Sequence, residues 1–391
     1  MKKKICFIMP NVFPVPAVKG GATETIVNNI IDENEKKQEL DITCISIYDE
    51  KAAIKSKSYK YTNFIFIKED RENIADLTFT SFDETFKDYL DNIYEEIKNI
   101  SFDFIIIEGG DITGYEYLIN KLPMQTFLVH IHGNVLGDNR INSKIYKYFI
   151  AISEYTKKMI LLDGNIKESQ IKLLYNAIKT DDFKKSISSE EKRELRKKYG
   201  IEDKDNVIAF FGRVIPEKGV KELIQGFKQI KNINNSKLLI VGNSHYGENV
   251  KNEFEIELEK MYESIKDKVK FTGYIENTDL YKIHSIADIA VLPSMFEELF
   301  GLVFVEAMSS GLPIITTNSG GIPEVVNEKC AIILERDENL PKNIARNIDY
   351  LIENPSIREK MSIEGKKRYN LFDISVYYDN LIKLINSLDK S

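Results

Sequence analysis

The stretch Leu292–Glu324, LPSMFEELFGLVFVEAMSSGLPIITTNSGGIPE, decides how the rest of the chain is read. It divides into a strand end, a turn, and a helix that opens with carboxylates. Glu298 and Glu306 stand on either side of Leu299, Phe300, Gly301, Leu302, Val303, Phe304 and Val305. Carboxylates set in so apolar a run are costly to bury without partners. With Gly301 at the loop-to-helix transition, unbonded backbone amides lie beside Glu298, where they suit a polyhydroxyl or anionic ligand. Glu306 falls about two turns further on, and a carboxylate there can accept a pair of vicinal hydroxyls. Beyond it, Gly311-Leu312-Pro313 reads as a helix stop, Ile314–Thr317 as a buried strand, and Gly320-Gly321 as a phosphate-friendly turn. The plainer alternative is a capped core helix with surface glutamates. It conflicts with the apolar residues on every side of both acids.

This stretch resembles the signature of the retaining glycosyltransferases of family 4, which have the GT-B fold. The family's two glutamates are separated by seven residues, as Glu298 and Glu306 are here, with Phe300-Gly301 after the first. The Gly-Gly-x-Pro-Glu that follows in the family is matched by Gly320-Gly321-Ile322-Pro323-Glu324. The resemblance implies an α/β protein of two doubly wound Rossmann-like domains facing each other across a cleft. It is dense over residues 207–326 and thinner over 1–180, where strand ends match but loops do not.

Length and composition agree with such a protein. A chain of 391 residues, 43% hydrophobic and 29% charged, has room for two separate cores and the balance of an ordinary globular protein. A net charge of -7 argues against a nucleic-acid partner. Cys6, Cys44 and Cys330 each sit in a strand-like apolar run, without metal-ligand spacing or a disulfide framework, and read as reduced core residues. The start, MKKKICFIMPNVFPVP, opens like a signal peptide, but its apolar run is short and broken by prolines. No apolar window is long enough to span a bilayer. A cytoplasmic protein is expected, with peripheral association at the inner face of a membrane left open.

Taken in order, Ile5–Met9 reads as a strand, Pro10–Gly21 as a Pro/Gly loop and Ala22–Ile31 as a helix. Strand, glycine turn and helix make the first unit of a parallel sheet, whose ligands sit at the strands' carboxyl ends. Ile42–Ile47 and Phe64–Ile67 follow as strands, and Ser81–Ile100 as an amphipathic helix. Phe104–Glu108 runs into Gly109-Gly110-Asp111, Phe127–Ile131 into His132-Gly133-Asn134, and Phe149–Ser153 into the helix Glu154–Leu162. Lys179–Lys204 reads as a linker with a surface helix. The second series is Val207–Phe211 with the helix Val220–Ile230, then Lys237–Val241, Val269–Thr272 and Ile289–Leu292. The helices Asn339–Ile352, Ile357–Lys367 and Ile374–Leu388 close the chain. The expected domains are 1–178 and 179–369, with residues 370–391 crossing back onto the first by family resemblance.

Arg213 and Lys218 flank the strand-to-helix turn after Val207–Phe211. A guanidinium and an ammonium at a helix start suit a diphosphate leaving group, although alone they read as solvated cations. The family holds its donor diphosphate in the same Gly-Arg…Lys-Gly pattern. Gly21, beside Gly20, would let amides approach a phosphate or a hydroxyl, and a plain tight turn is the other reading. His132 ends a strand and matches the family's strand-end His-Gly, which lies beside donor sugar and acceptor; His130 points to the same face, deeper in, and is read as core. Ser153 and Glu154 match a family Ser-Glu, with Ser153 equally a helix cap. Asn176 alone survives of a family Asn-Gly-Val-Asp. Gly242, Asn243, Tyr274 and Ile275 sit at strand ends where relatives hold the base, by backbone bonds and stacking that any base satisfies.

The resemblance therefore implies a hexosyl transfer from a nucleotide-sugar, UDP being the commonest nucleotide in the family. Catalytic roles fall to His132 and Glu298. Glu298 with the amides of Leu299, Phe300 and Gly301 orients the sugar, Glu306 holds the ribose, and Arg213, Lys218 and Gly21 hold the diphosphate. Family members react on one face of the sugar, the departing phosphate taking the acceptor proton. No Asp-x-Asp sits at a strand end and the cations already serve the leaving group, so no metal or other cofactor is expected. The acceptor is a glycan, a lipid-linked sugar or a protein, and the opening loop resembles members acting on bacterial surface polysaccharide or spore coat. The other readings are a GT-B epimerase, which needs acid/base residues not found here, a phosphorylase, or a silent sugar-nucleotide-binding coat protein.

Overall fold

The computed structural model describes residues 2–68, 83–110, 112–133, 145–162, 165–243 and 253–388. It divides into two compact units, Met1–Ala177 with Ile374–Ser391, and Ile178–Asp373. Each is a parallel sheet with helices in the crossovers, so both are doubly wound α/β units.

The first sheet contains β1 (Lys3–Ile8), β2 (Leu40–Ile47), β3 (Thr62–Ile67), β4 (Phe104–Ile107), β5 (Phe127–Ile131), β6 (Tyr148–Ala151) and β7 (Ile171–Leu173), in the order β3-β2-β1-β4-β5-β6-β7. The second contains β8 (Asn206–Phe211), β9 (Ser236–Val241), β10 (Val269–Gly273), β11 (Ile289–Leu292), β12 (Ile314–Thr317) and β13 (Ala331–Leu334), ordered β10-β9-β8-β11-β12-β13. Strands covered on both faces need apolar side chains pointing both ways, so their sequences are unbroken apolar runs. Ile5–Ile8 and Phe104–Ile107 are such runs, and every residue in them is buried. Phe7 of β1 lies between Cys44 of β2 and Ile106 of β4.

The helices bury one stripe each. Glu84–Ile97 places Phe86, Tyr89, Leu90, Ile93 and Ile97 in the core, and the carboxylate of Asp83 accepts the Phe86 amide at 2.8 Å to cap its start. This helix is shorter than the expected Ser81–Ile100, and residues 81–82 lie outside the described residues, as do Asp111 and Asn134. The first helix runs on to Lys37, past the expected Ile31. Its polar second half is satisfied locally, with Asn34 buried and bonded through its side chain to the amide and carbonyl of Leu40. The helix Ile374–Ser387 packs on it, where the Tyr378 hydroxyl donates to Asn34 Oδ1 at 2.7 Å and Lys37 pairs with Asp379 at 2.5 Å. The expected linker Lys179–Lys204 is more structured than its charge suggested. Arg196, from the helix Ser189–Lys198, is buried and donates to the carbonyls of Glu202 and Asp205, both at 2.7 Å.

Both strand orders reverse once, between β1 and β4 in the first unit and between β8 and β11 in the second. At such a reversal the connections leave in opposite directions and open a crevice at the carboxyl ends of the strands. In the second unit the crevice is set by a close backbone approach. Gly219 opens the helix Val220–Phe227 at φ +70°, and a Cβ placed on it would lie 1.9 Å from the carbonyl oxygen of Pro293, just beyond β11. Gly273 has the same φ of +70° with nothing within 4 Å of such a Cβ. Gly273→Ala should therefore carry only the left-handed strain of about 1–2 kcal/mol. Gly219→Ala should lose at least about 1–3 kcal/mol more through overpacking, read as the difference between the two variants' urea midpoints. Equal midpoints would remove the contact with Pro293 as a constraint.

Candidate active site

The residues after β8 and β11 meet at the reversal of the second sheet. After β8 the chain turns through Pro216–Lys218, whose Glu217 carbonyl accepts the amide of Met295 at 2.8 Å. This brings Lys218 against the turn after β11, where its ammonium pairs with the Glu298 carboxylate and lies 4.7 Å from the Phe296 ring centre. The Ser294 hydroxyl lies 3.3 Å from the same Glu298 oxygen. Glu298 is buried, and an unpartnered carboxylate there would be heavily penalised; Lys218 and Ser294 supply what water no longer can.

The turn after β12 supports this arrangement from behind. The carbonyl of Ser294 accepts from the hydroxyls of Thr317, at 2.6 Å, and Ser319, at 3.1 Å. Gly321 donates its amide to the carbonyl of Glu298 at 2.7 Å, and Gly320 donates to Glu297 Oε2 at 2.5 Å. Glu297 in turn pairs with Arg336. The Gly320-Gly321 turn, read in sequence as phosphate-friendly, thus spends its amides on the glutamate turn. A Cβ on Gly320 would lie 2.1 Å from the Glu298 carbonyl oxygen, so this close packing is what the second glycine pair secures.

Gly301 precedes the helix Leu302–Ser309, and no described residue accepts from the amides of Leu299 or Gly301. Phe300 turns its ring into the core, 5.4 Å from Phe372 and edge-on to it. Glu306 lies further along the same helix, half-buried, and its carboxylate has no partner among the described residues. Burial pushes its pKa up to about 7. Arg213 is exposed, and its guanidinium likewise has no partner among the described residues. At the ends of the outer strands, Val214 donates to the Asn243 carbonyl at 3.0 Å and Gly242 to that of Gly273 at 3.2 Å, which ties these three turns together. Tyr274 follows with its ring exposed and its hydroxyl 3.4 Å from Glu276, and Ile275 is half-buried.

The first unit gathers a second set of polar groups at its own strand reversal. Glu108, directly after β4, is buried, and a single oxygen, Oε2, lies 3.0 Å from His130 Nδ1 and 2.8 Å from His132 Nε2. Burial alone would raise this carboxyl, but His130 beside it and the hydrogen bonds from both rings outweigh that and hold it down at about 2. His132 is lowered by burial and by the neighbouring His130, against the pull of Glu108. Among the described residues this is the one His/Cys/Asp/Glu group whose ligand atoms all fall within 4.8 Å, and its atoms already hydrogen-bond one another. Gly21 starts the helix Ala22–Lys37, and its carbonyl accepts from the Thr25 amide at 3.0 Å and hydroxyl at 2.6 Å. The buried carboxyl of Glu24 folds back beside it, pushed up to about 7 by its burial.

Residues 191–368 match the model of the family described as glycosyl transferases group 1. Spore coat protein SA of Bacillus subtilis is 26% identical over 92% of this chain and 92% of its own length. The chain resembles the group 1 glycosyltransferases. It is also 31% identical to a capsular polysaccharide biosynthesis glycosyltransferase, CapM of Staphylococcus aureus, over 62% of each chain. Its GT-B fold is shared with Anabaena HepE, solved in complex with UDP and glucose, at a TM-score of 0.75 and 17% identity over 99% of this chain and 100% of that one.

The structure brings together Lys218 and Glu298, leaves Arg213 and Glu306 without protein partners among the described residues, and sets Gly242, Asn243, Tyr274 and Ile275 at neighbouring strand ends of the same sheet. His132 and Gly21 belong to the other unit. His130, read as core, is buried as expected but also bonds Glu108. Ser153 caps the helix Glu154–Leu161 by accepting the Thr156 amide at 3.0 Å, which is the structural alternative raised for it. Asn176 is buried, and its Oδ1 has no partner among the described residues. Sequence reasoning missed Glu108, Glu24, Ser294 and the Glu297–Arg336 pair. For Glu108 a signal existed, since an acid directly ending the fully apolar run Phe104–Ile107 is an unusual sheet residue.

The raised Glu306 carboxyl has a measurable consequence. A folded-state pKa of about 7, above the ordinary 4.5, gives stability that is complete below pH 4.5 and lost as the pH rises through 7. Glu306→Gln removes that dependence. From about pH 5 to about pH 8 the variant should gain on the wild type in urea denaturation, by at most about 3 kcal/mol. A pH-independent difference would show a carboxyl with ordinary hydration.

Proposed function

We propose that this chain transfers a hexose from a UDP-sugar to a hydroxyl of a bacterial surface glycan, with retention of the anomeric configuration. The Lys218–Glu298 pair at the reversal of the second sheet carries the reading, because it places a cation and a sugar-orienting carboxylate together where α/β sheets bind ligands. In this reading Arg213 and Lys218 take the diphosphate, and their positive charge meets the negative charge that develops on the leaving group. Glu298 and the amides of Leu299 and Gly301 orient the sugar. Glu306, with no protein partner of its own among the described residues, takes the ribose hydroxyls. Tyr274 offers its exposed face to the base. The first unit, with His132, takes the acceptor. Two protein cations for the leaving group make a divalent metal unnecessary. UDP and glucose in HepE and the names of the capsule and spore-coat relatives support donor and setting. No described helix is long and apolar enough to cross a membrane, and a lipid-linked acceptor would be met at the membrane surface.

The test begins with thermal denaturation in a panel of nucleotides. UDP at a hundredfold its dissociation constant should add about 2.7 kcal/mol of stability, and Arg213→Ala should abolish most of that gain. Turnover of a labelled UDP-sugar should fall roughly a hundredfold in Glu298→Ala and survive EDTA, and NMR of the product should show the donor's anomeric configuration. A wild-type protein stabilised by UDP, but neither transferring nor hydrolysing any donor, would instead be a coat protein that binds sugar nucleotides.

A further inference from the structure

We propose that Glu108 is a positioning residue for His132, fixing its proton on Nε2 and leaving Nδ1 to accept a hydrogen bond from a sugar hydroxyl. The hydroxyl's identity rests on the glycosyltransferase reading above; the state of the ring does not. Glu108 follows β4 at the reversal of the first sheet, so it stands where that sheet opens its crevice. A carboxylate carries no proton and can only accept. Its Oε2 lies 2.8 Å from His132 Nε2 and 3.0 Å from His130 Nδ1, so both of these nitrogens must be donors. The burial of Glu108 supports this, since an ionised carboxylate there requires at least these two donors.

The two rings then differ in what they have left. His130 is buried, and its other nitrogen, Nε2, is enclosed without a partner among the described residues. It acts as the second clamp on Glu108, its ring centre 4.0 Å from that of His132. His132 keeps some exposure, 11% of its side chain, and no described residue bonds its Nδ1. With Nε2–H committed to Glu108, a neutral His132 presents a lone pair on Nδ1 and no donor. It therefore selects a ligand group that donates, and a sugar hydroxyl does. This arrangement also places the trio apart from a metal site, since a divalent ion would require both nitrogens to give up the protons now shared with Glu108.

Histidine-selective nitrogen NMR of the full chain tests this, with His132→Gln assigning the signal. The expected wild-type spectrum shows His132 protonated on Nε2 and bare on Nδ1. In Glu108→Leu neither ring keeps an acceptor at this side chain, so His132 should become a mixture of tautomers. Its kcat with a UDP-sugar should fall about tenfold or more while the donor KM stays within about twofold. A proton on Nδ1 in the wild type overturns the proposal without need of any variant, so a poorly folding Glu108→Leu does not shelter it. An unchanged tautomer and kcat in a folded Glu108→Leu also overturns it. So does a shift of both histidine signals on adding zinc that a chelator reverses, which would make the trio a metal site. A wild-type spectrum as expected, in a chain that transfers no sugar, refutes the glycosyltransferase reading alone.

Discussion

The ion pair between Lys218 and Glu298 is the interaction on which the second unit's crevice depends. The two residues lie on turns after β8 and β11, strands that are neighbours in space but far apart in the chain. Each turn leaves its strand because it has something to hold at the other side. Glu217 accepts the Met295 amide, Gly219 lets the next helix start against Pro293, and the pair itself neutralises two charges in a half-buried place. A buried pair of this kind contributes little net stability, since desolvation offsets most of the attraction. Its worth lies in geometry: it fixes where a carboxylate and an ammonium stand at the crevice.

The turn after β12 shows how much backbone is spent in keeping that geometry. The amides of Gly320 and Gly321 are committed to Glu297 and to the Glu298 carbonyl, and two hydroxyls close on the Ser294 carbonyl. Few degrees of freedom remain between β11 and the helix Leu302–Ser309. The amides of Leu299 and Gly301, within this turn, have no acceptor among the described residues. Preorganised donors surrounded by a rigid frame need little rearrangement to meet developing charge.

The sheets were legible because parallel strands, buried on both faces, cannot hide their apolar runs; Ile314–Thr317 is found where the sequence placed it. The strand β7 was not, since Ile171–Leu173 is short and only partly buried and its pattern does not rise above that of a loop, and β13 showed only as the strand-like apolar run that holds Cys330. The length of the first helix was hidden too, because its polar second half is satisfied by Asn34 and by Tyr378, a residue from the far end of the chain. At the site, the glutamate stretch announced itself by acids in an apolar setting. Glu108 has the same setting, but its partners lie on another strand, and a single acid at a strand end resembles a solvated one. The amides of Gly320 and Gly321 were misread because a sequence shows that a turn can donate, not that acceptors at Glu297 and Glu298 already stand there.

The two units solve one problem in parallel. At each strand reversal a buried carboxylate is held by donors, Glu298 by Lys218 and Ser294, Glu108 by His130 and His132. Each unit also carries a second, raised carboxyl, Glu306 in one and Glu24 in the other, both near 7. The held carboxylates are fixed acceptors, while the raised ones gain or lose a proton near neutrality and can donate or accept as a ligand demands. The difference in partners makes the difference in chemistry. Lysine leaves Glu298 beside a mobile cation that an anionic ligand can draw away, whereas paired imidazoles lock Glu108 and transmit its orientation to the ring of His132. A charged, exchangeable contact can be traded for an anionic ligand, whereas a locked neutral ring offers a fixed acceptor.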